Sequence, residues 1–414
     1  MQFDLNEEQQ ALAESLSRLL DDHYGFEKRR AIAGSEAGWS DAAWNKLAEL
    51  GVTALGIPEA FGGLGGGAGD RLPVMKAFGR ALLLEPYLAS SVLGATAVRE
   101  AASEAQKSAL LPALPSGELR LAWAHDETGG RNEALWIETR ARHDGGQWRL
   151  DGAKSLVLHA GAASRFVVSA RVNADPSADP SADLNADLNA DLNADLTADV
   201  RADVSADVSP GMNGHASDEH GLALFLVDAG SARLRPYRLI DDTPAGELIL
   251  DGAVAEPLGD PADHARALAA IRAAEAAGTA AVCADMVGTM ESAFSLTTAY
   301  VSTRKQFGRL IGEYQALRHR ISEMAVALEM ARSMAIAAAV AVDDAASPNA
   351  ATDLPRAKLA IGRHARALCQ AAIQSHGGIG MTEEYAVGHC LRRIHVLDQL
   401  FGDVDAQAAR LARM

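Results

Sequence analysis

Near the N-terminus Leu12, Leu16, Leu19 and Leu20 recur at spacings that predict one apolar face of an amphipathic helix. Asp4, with Glu7 three residues on, has the form of a capping box ahead of it. Ser40 is placed to cap a second helix through Trp44, Leu47 and Leu50, and Gly51 to stop it. The stretch 56–65 is too rich in Gly and Pro to continue a helix. Helical spacing returns at 74–83 and 89–102, and 110–117 closes a helical first part, residues 1–118.

The texture then changes. Short apolar runs at 136–140, 148–150, 165–171, 221–227 and 247–250 read as strands, and Asp144-Gly145-Gly146, Asp151-Gly152 and Asp251-Gly252 read as turns. Residues 119–258 are thus expected to form a small antiparallel β domain. From about Ala262 the spacing becomes helical and alanine-rich. Segments 265–303, 311–343, 352–375 and 404–413 predict a four-helix bundle within 259–414. The fold class is therefore a multi-domain α+β protein: a helical domain, a middle antiparallel β domain and a C-terminal helical bundle.

Composition changes this picture in one place. The chain is 48% apolar, which excludes wholesale disorder. Its formal charge of −17 argues against nucleic acid or an anionic membrane as the main partner. Between residues 173 and 208, however, aspartate recurs every fourth residue, nine times, against the single Arg201. A helix would stack these like charges on one stripe, and Pro176, Pro180 and Pro210 oppose regular structure. The alternative of a calcium-binding array lacks the glycine turns of such repeats. The stretch of about 173–220 is read as a disordered insertion in a β-hairpin loop, where added length costs little entropy. Cys283, Cys369 and Cys390 show neither disulfide nor metal spacing and suit a reducing compartment. With no signal peptide visible and no uninterrupted apolar run long enough for a bilayer, a cytoplasmic protein is expected.

Walker, Gly-x-Ser-x-Gly, His-Glu-x-x-His and Cys-x-x-Cys motifs are absent from the sequence. His364, His376, His389 and His395 match no metal spacing, so no metal is expected. Two stretches carry candidate chemistry. In 304–315 Gly308 breaks a helix while Arg304, Gln306 and Gln315 offer donors for an anionic group. In 374–385 three glycines in four positions permit close approach of a ligand, or simply form a helix-ending turn.

Taken together, these motifs resemble those of the acyl-CoA dehydrogenase flavoproteins. The matching residues are Leu50-Gly51 with 57–65, Leu150-Asp151-Gly152-Ala153-Lys154, Arg304-x-x-Phe307-Gly308 with Gln315, and Gln374-x-x-Gly377-Gly378-x-Gly380 with 382–385. The resemblance implies FAD between the β domain and the bundle, its pyrophosphate and adenine end reaching a neighbouring subunit. It implies that Arg304, Phe307, Gln315, Gln374, Gly377 and Gly378 contact the dinucleotide. The implied reaction is α,β-dehydrogenation of an acyl-CoA thioester, with a carboxylate removing the α-proton and the β-hydrogen leaving as hydride. Electron-transfer flavoprotein is the implied acceptor, and a homotetramer or a heteromer with a second dehydrogenase subunit the implied assembly.

The sequence departs from the family's pattern at the base. Where an aromatic-Glu-Gly-Thr motif is usual, Phe401-Gly402-Asp403 stands, as in small subunits of two-component dehydrogenases. A second family location for the glutamate falls near Gly278-Thr279, with Glu275 about a turn away. Leu156-Val157-Leu158 replaces Trp-Ile-Thr/Ser, and Asp126-Glu127-Thr128 stands for Thr-Glu-Pro. Asp403 is the candidate base, and equally a candidate N-cap for the helix that follows. The chain is either a working dehydrogenase or a partner subunit that completes another's FAD site.

Overall fold

The computed structural model describes residues 6–130, 133–172 and 221–414. The aspartate repeat lies outside the described residues, as does Asp4. The first helix, α1 (Glu7–His23), is capped by Asn6, whose side chain and that of Gln9 form the reciprocal box expected of Asp4 and Glu7. It is followed by α2 (Phe26–Ala33), α3 (Asp41–Glu49) and α4 (Ala68–Ala81). Ser40 caps α3 through the Ala43 N–H, and Gly51 takes left-handed backbone just after it. A π-helical stretch, Leu88–Gly94, runs directly into α5 (Ala95–Ala101), with α6 (Glu104–Leu110) after it.

The middle sheet holds β1 (Leu121–Ala124), β2 (Arg140–Asp144), β3 (Gln147–Leu158), β4 (Arg165–Val172), β5 (Leu222–Asp228), β6 (Arg233–Arg238) and β7 (Pro244–Pro257). It is mixed rather than wholly antiparallel. Strand β4 pairs in parallel with β1 and β2, and the remaining ladders are antiparallel. The run at 136–140 is irregular until Arg140, where β2 begins. Val172 N donates to Gly221 O at 2.6 Å, so the two flanks of the repeat stretch meet.

The bundle comprises α7 (His264–Thr303), α8 (Gln315–Asp343), α9 (Ala350–His376) and α10 (Ala386–Gln399). Its fourth member is therefore α10, not 404–413, which forms the short α11 (Val404–Ala412) on the flank of α9. Helix α7 is the spine, buried on nearly all sides. By length and composition α7 and α8 could each cross a bilayer; the most apolar window of α7 is 72% buried in this fold and that of α8 only 33%. Glycines let α4 cross α7 closely. A Cβ at Gly79 would lie 2.0 Å from Asp285 O, and one at Gly288 1.9 Å from Lys76 O.

Two arginines, Arg29 buried and Arg393 largely so, tie the three domains. Arg393 of α10 binds Asp285 of α7 at 2.5 Å and Asp241 and Thr243 of the β6–β7 turn at 3.0 Å each. Arg29 of α2 reaches the same turn at Asp242, 2.6 Å away, and the Asp241 carbonyl. Burial of such charges is tolerated because each is paired; removing one partner typically costs about 3–5 kcal/mol.

Candidate active site

Helix α7 ends where Arg304 leaves helical backbone (φ −74°, ψ 126°). A minimal hairpin follows, Lys305–Gln306 against Arg309–Leu310, with Phe307 (φ 54°) and Gly308 (φ 83°) at its tip. A two-residue hairpin with a type I′ turn needs left-handed backbone at both tip positions, as here. Glycine adopts it freely, whereas Phe307 does so at a cost on the order of 1 kcal/mol. Its ring is nevertheless 90% exposed. Ile311 N donates to Arg304 O at 2.9 Å, folding the chain back so that Gln315 opens α8. Arg304 and Gln315 are exposed.

The second motif arrives at the same end of the bundle. His376, at the end of α9, stacks on Tyr300 of α7 (centroids 4.5 Å apart) and meets Tyr385 at 5.0 Å. Gln374, Gly377 and Gly378 are exposed beside it. A Cβ at Gly377 or Gly378 would touch nothing within 4 Å among the described residues; Gly377 is needed for its positive φ of 64° at the end of α9, whereas neither packing nor a positive φ calls for glycine at Gly378. His376 Nδ1 donates to Ala372 O at 2.8 Å, while its buried Nε2 has no partner among the described residues. An outward guanidinium, an uncovered ring, open glycines and an orphaned imidazole nitrogen fit the pyrophosphate and adenine end of a dinucleotide. All six cofactor residues expected from the sequence thus lie on this end.

A second locus forms where α7, the Leu88–Gly94 turn, the end of β1 and the 399–403 turn converge. Trp123, Leu93, Ile271 and Ala274 share one core there, with Phe401 packed against it. The Phe401 ring occupies the space a side chain at Gly278 would need, with Cζ 2.4 Å from the built Cβ. Phe401 (φ 60°) and Gly402 (φ 88°) both take left-handed backbone. Gln407 Nε2 holds the Phe401 carbonyl at 2.7 Å, and buried Lys358 reaches the Gly402 carbonyl at 3.4 Å. Asp403 caps α11: Oδ1 accepts from Ala406 N at 2.9 Å and Asp405 N at 3.1 Å. Its Oδ2 accepts from the Gln399 amide at 3.4 Å.

Beneath the locus lies a buried polar chain. Lys154 Nζ donates to Glu127 (2.6 Å), Ser169 Oγ (3.0 Å) and the His125 carbonyl (3.1 Å). Burial lowers Lys154 to about 8. Burial alone would raise Glu127, but the charge and hydrogen bonds of Lys154 win and hold it below the usual carboxylate range. His125 is pushed down to about 3, chiefly by burial and then by Lys154, so its ring is neutral. Nε2 donates to Ala134 O at 2.6 Å and Nδ1 sits 2.9 Å from Ser169 Oγ.

Glu275 of α7 stands over this chain, Oε1 3.7 Å from His125 Nε2, with 24% of its side chain exposed. Desolvation, then the nearby Asp126 charge, raises it to about 7, against the pull of Arg410 and Arg272. Sequence reasoning saw Glu275 only as the nearest acid to Gly278. Its environment is assembled from β1 and α11, which no local pattern joins to α7. The lysine of Leu150-Asp151-Gly152-Ala153-Lys154 was legible; its partner Glu127 was seen only as part of a weak motif. Leu156, in the Trp-Ile-Thr position, has φ 50°, and its N–H donates to Tyr237 Oη at 3.0 Å.

Residues 6–118 match the N-terminal domain of the acyl-CoA dehydrogenases, and residues 268–414 match their C-terminal domain. The chain belongs to the acyl-CoA dehydrogenase family. It is 28% identical over 410 residues to acyl-CoA dehydrogenase IpdE2 of Mycolicibacterium smegmatis, with 98% of each chain covered. A Tcur3481-Tcur3483 steroid ACAD variant superposes with a TM-score of 0.79 at 25% identity, over 98% of this chain and 97% of that one. The glutaryl-coenzyme A dehydrogenase in complex with glutaryl-CoA shares the fold, with a TM-score of 0.81 at 23% identity over 100% and 96% of the two chains. As an acyl-CoA dehydrogenase the chain is a FAD-binding flavoprotein and an oxidoreductase acting on acyl-CoA.

Proposed function

We propose that this chain carries out α,β-dehydrogenation of an acyl-CoA thioester as one subunit of a larger cytoplasmic assembly, passing its electrons to an electron-transfer flavoprotein. The observation that carries the reading is the outward end of the bundle. Arg304, Phe307, Gly377 and Gly378 are exposed there around a histidine whose Nε2 lacks a partner among the described residues. In this reading Arg304 binds the pyrophosphate, and Phe307, Gln315, Gln374 and the two glycines line the rest of the dinucleotide end. Bound FAD would supply a two-electron acceptor for the β-hydrogen. The chain's own tasks are to hold the thioester, exclude water and give the α-proton a carboxylate. Helix α8 leaves Val326 64% and Met330 51% exposed, which supports packing against another subunit, identical or not.

A second reading is favoured by one feature. Gly402 stands where the family's acid is usual, and Asp403 spends one oxygen capping α11. The chain would then be a partner that completes another subunit's FAD site. Purification tests the flavin binding that both readings share. The proposal expects a yellow protein, or one that takes up FAD when mixed with a partner dehydrogenase subunit. A protein that stays colourless and takes up no FAD in either state would overturn it.

A further inference from the structure

The acid missing from the 399–403 turn leaves open which group receives the α-proton, and the fold offers one answer. Gly278 of α7 and Gly402 of the turn both lack a side chain, and the Phe401 ring fills the space between α7 and Leu93. One turn earlier on the same helix, Glu275 projects toward the end of β1 beside the neutral His125 ring. A quarter of its side chain remains open to solvent, and its helix neighbours Ile271 and Ala274 pack in one core with Trp123 and Leu93, against which Phe401 rests. Asp403, by contrast, is held at the start of α11 by two backbone N–H groups.

We propose that Glu275 is the catalytic base of this chain. The inference rests on the dehydrogenase reading above. The Glu275 carboxylate takes the proton as the C–H bond α to the thioester carbonyl breaks. That electron pair forms the α,β double bond as the β C–H bond breaks and its hydrogen leaves as hydride. Bound FAD would supply the two-electron acceptor for that hydride, and the proton rests on Glu275, so the step balances.

The groups facing Glu275 come from three elements: His125 and Asp126 after β1, Arg272 on its own helix, and Arg410 on α11. Desolvation and Asp126 hold its carboxyl at about 7 against the two arginines. A base of that pKa works near neutral pH, and its ionised fraction rises as pH climbs through 7.

The test uses the full chain in two states. In the FAD-loaded protein, Glu275→Gln is expected to slow flavin reduction by acyl-CoA roughly 10²–10⁴-fold, the usual worth of a general base. FAD content and acyl-CoA affinity by calorimetry should stay unchanged. Glu275→Asp should retain a measurable part of the rate, which distinguishes a lost base from a damaged fold. In the chain without FAD, the ¹³C carboxyl resonance that disappears in Glu275→Gln should titrate near 7 and fall in Asp126→Asn. Full reduction rate in Glu275→Gln, or a Glu275 carboxyl titrating near 4.5, would overturn the inference. Loss of reduction in Asp403→Asn with retention in Glu275→Gln would do the same. A wild-type chain that binds FAD but is reduced by no acyl-CoA, alone or with a partner, overturns the dehydrogenase reading instead, and a carboxyl that then titrates near 7 supports only the described surroundings of Glu275.

Discussion

The aromatic ring of Phe401 stands where a side chain on Gly278 would have to stand, its Cζ 2.4 Å from the built Cβ and Leu93 Cδ2 only 2.8 Å away. The 399–403 turn and the spine helix α7 are thus fitted to each other by the absence of one side chain. Gly278→Ala is expected to destabilise the chain by about 1–3 kcal/mol through overpacking. In a Phe401→Ala background the cost should shrink, because only the end of the Leu93 side chain is then left to move aside and alanine is the better helix former by about 1 kcal/mol. Urea unfolding of the four members of this double-mutant cycle measures the coupling directly.

The turn owes its two consecutive left-handed residues to side chains outside it. Gln407 Nε2 holds the Phe401 carbonyl, and Asp403 holds the start of α11. Gln407→Leu should cost about 1–3 kcal/mol, since the carbonyls of Phe401 and Gly402 lose a donor in a buried place. Thermal unfolding checks this, and a change below about 0.5 kcal/mol would contradict the clamp.

Phe307 trades stability for an uncovered ring. Phe307→Gly should relieve the left-handed strain and raise stability by up to about 1 kcal/mol while weakening FAD retention. Arg304→Ala, at an exposed position, should leave unfolding unchanged and also lower FAD content. Equilibrium dialysis against FAD, alongside a melting curve, tests both substitutions.

Much of the fold was legible because its signals are local. The Ser40 cap, the turn glycines and the apolar period of α7 to α9 each lie within a few neighbouring residues. Strand β1 was missed because Leu121–Ala124 is buried at all four positions and shows no alternation. Helix α10 was missed because it starts directly after a glycine turn and carries His389 and His395, which drew attention as a loose histidine cluster. The residues proposed for the cofactor are picked out by the resemblance of their motifs, and the structure brings them to one end of the bundle. The environment of Glu275 was not, because it depends on tertiary neighbours from β1 and α11.

Glu85 gives a pH prediction independent of catalysis. It is 3% exposed, and desolvation raises it to about 7 against the pull of hydrogen bonds with Tyr24 and nearby backbone groups. The folded protein therefore binds a proton that the unfolded chain releases between about 4.5 and 7, and stability contributed by this group is lost as pH rises across that window. Glu85→Gln should melt higher than wild type at pH 8, by an amount on the order of 3 kcal/mol, and close to wild type at pH 4. Equal melting of the two proteins at pH 8 would contradict the assignment.

The most direct test of the dehydrogenase reading is anaerobic titration of the FAD-loaded chain with a panel of acyl-CoA thioesters, following flavin absorbance. The account predicts that at least one thioester bleaches the flavin band and yields its α,β-unsaturated product. A flavin band unmoved by every thioester, with the chain alone and with a partner dehydrogenase subunit, would contradict it.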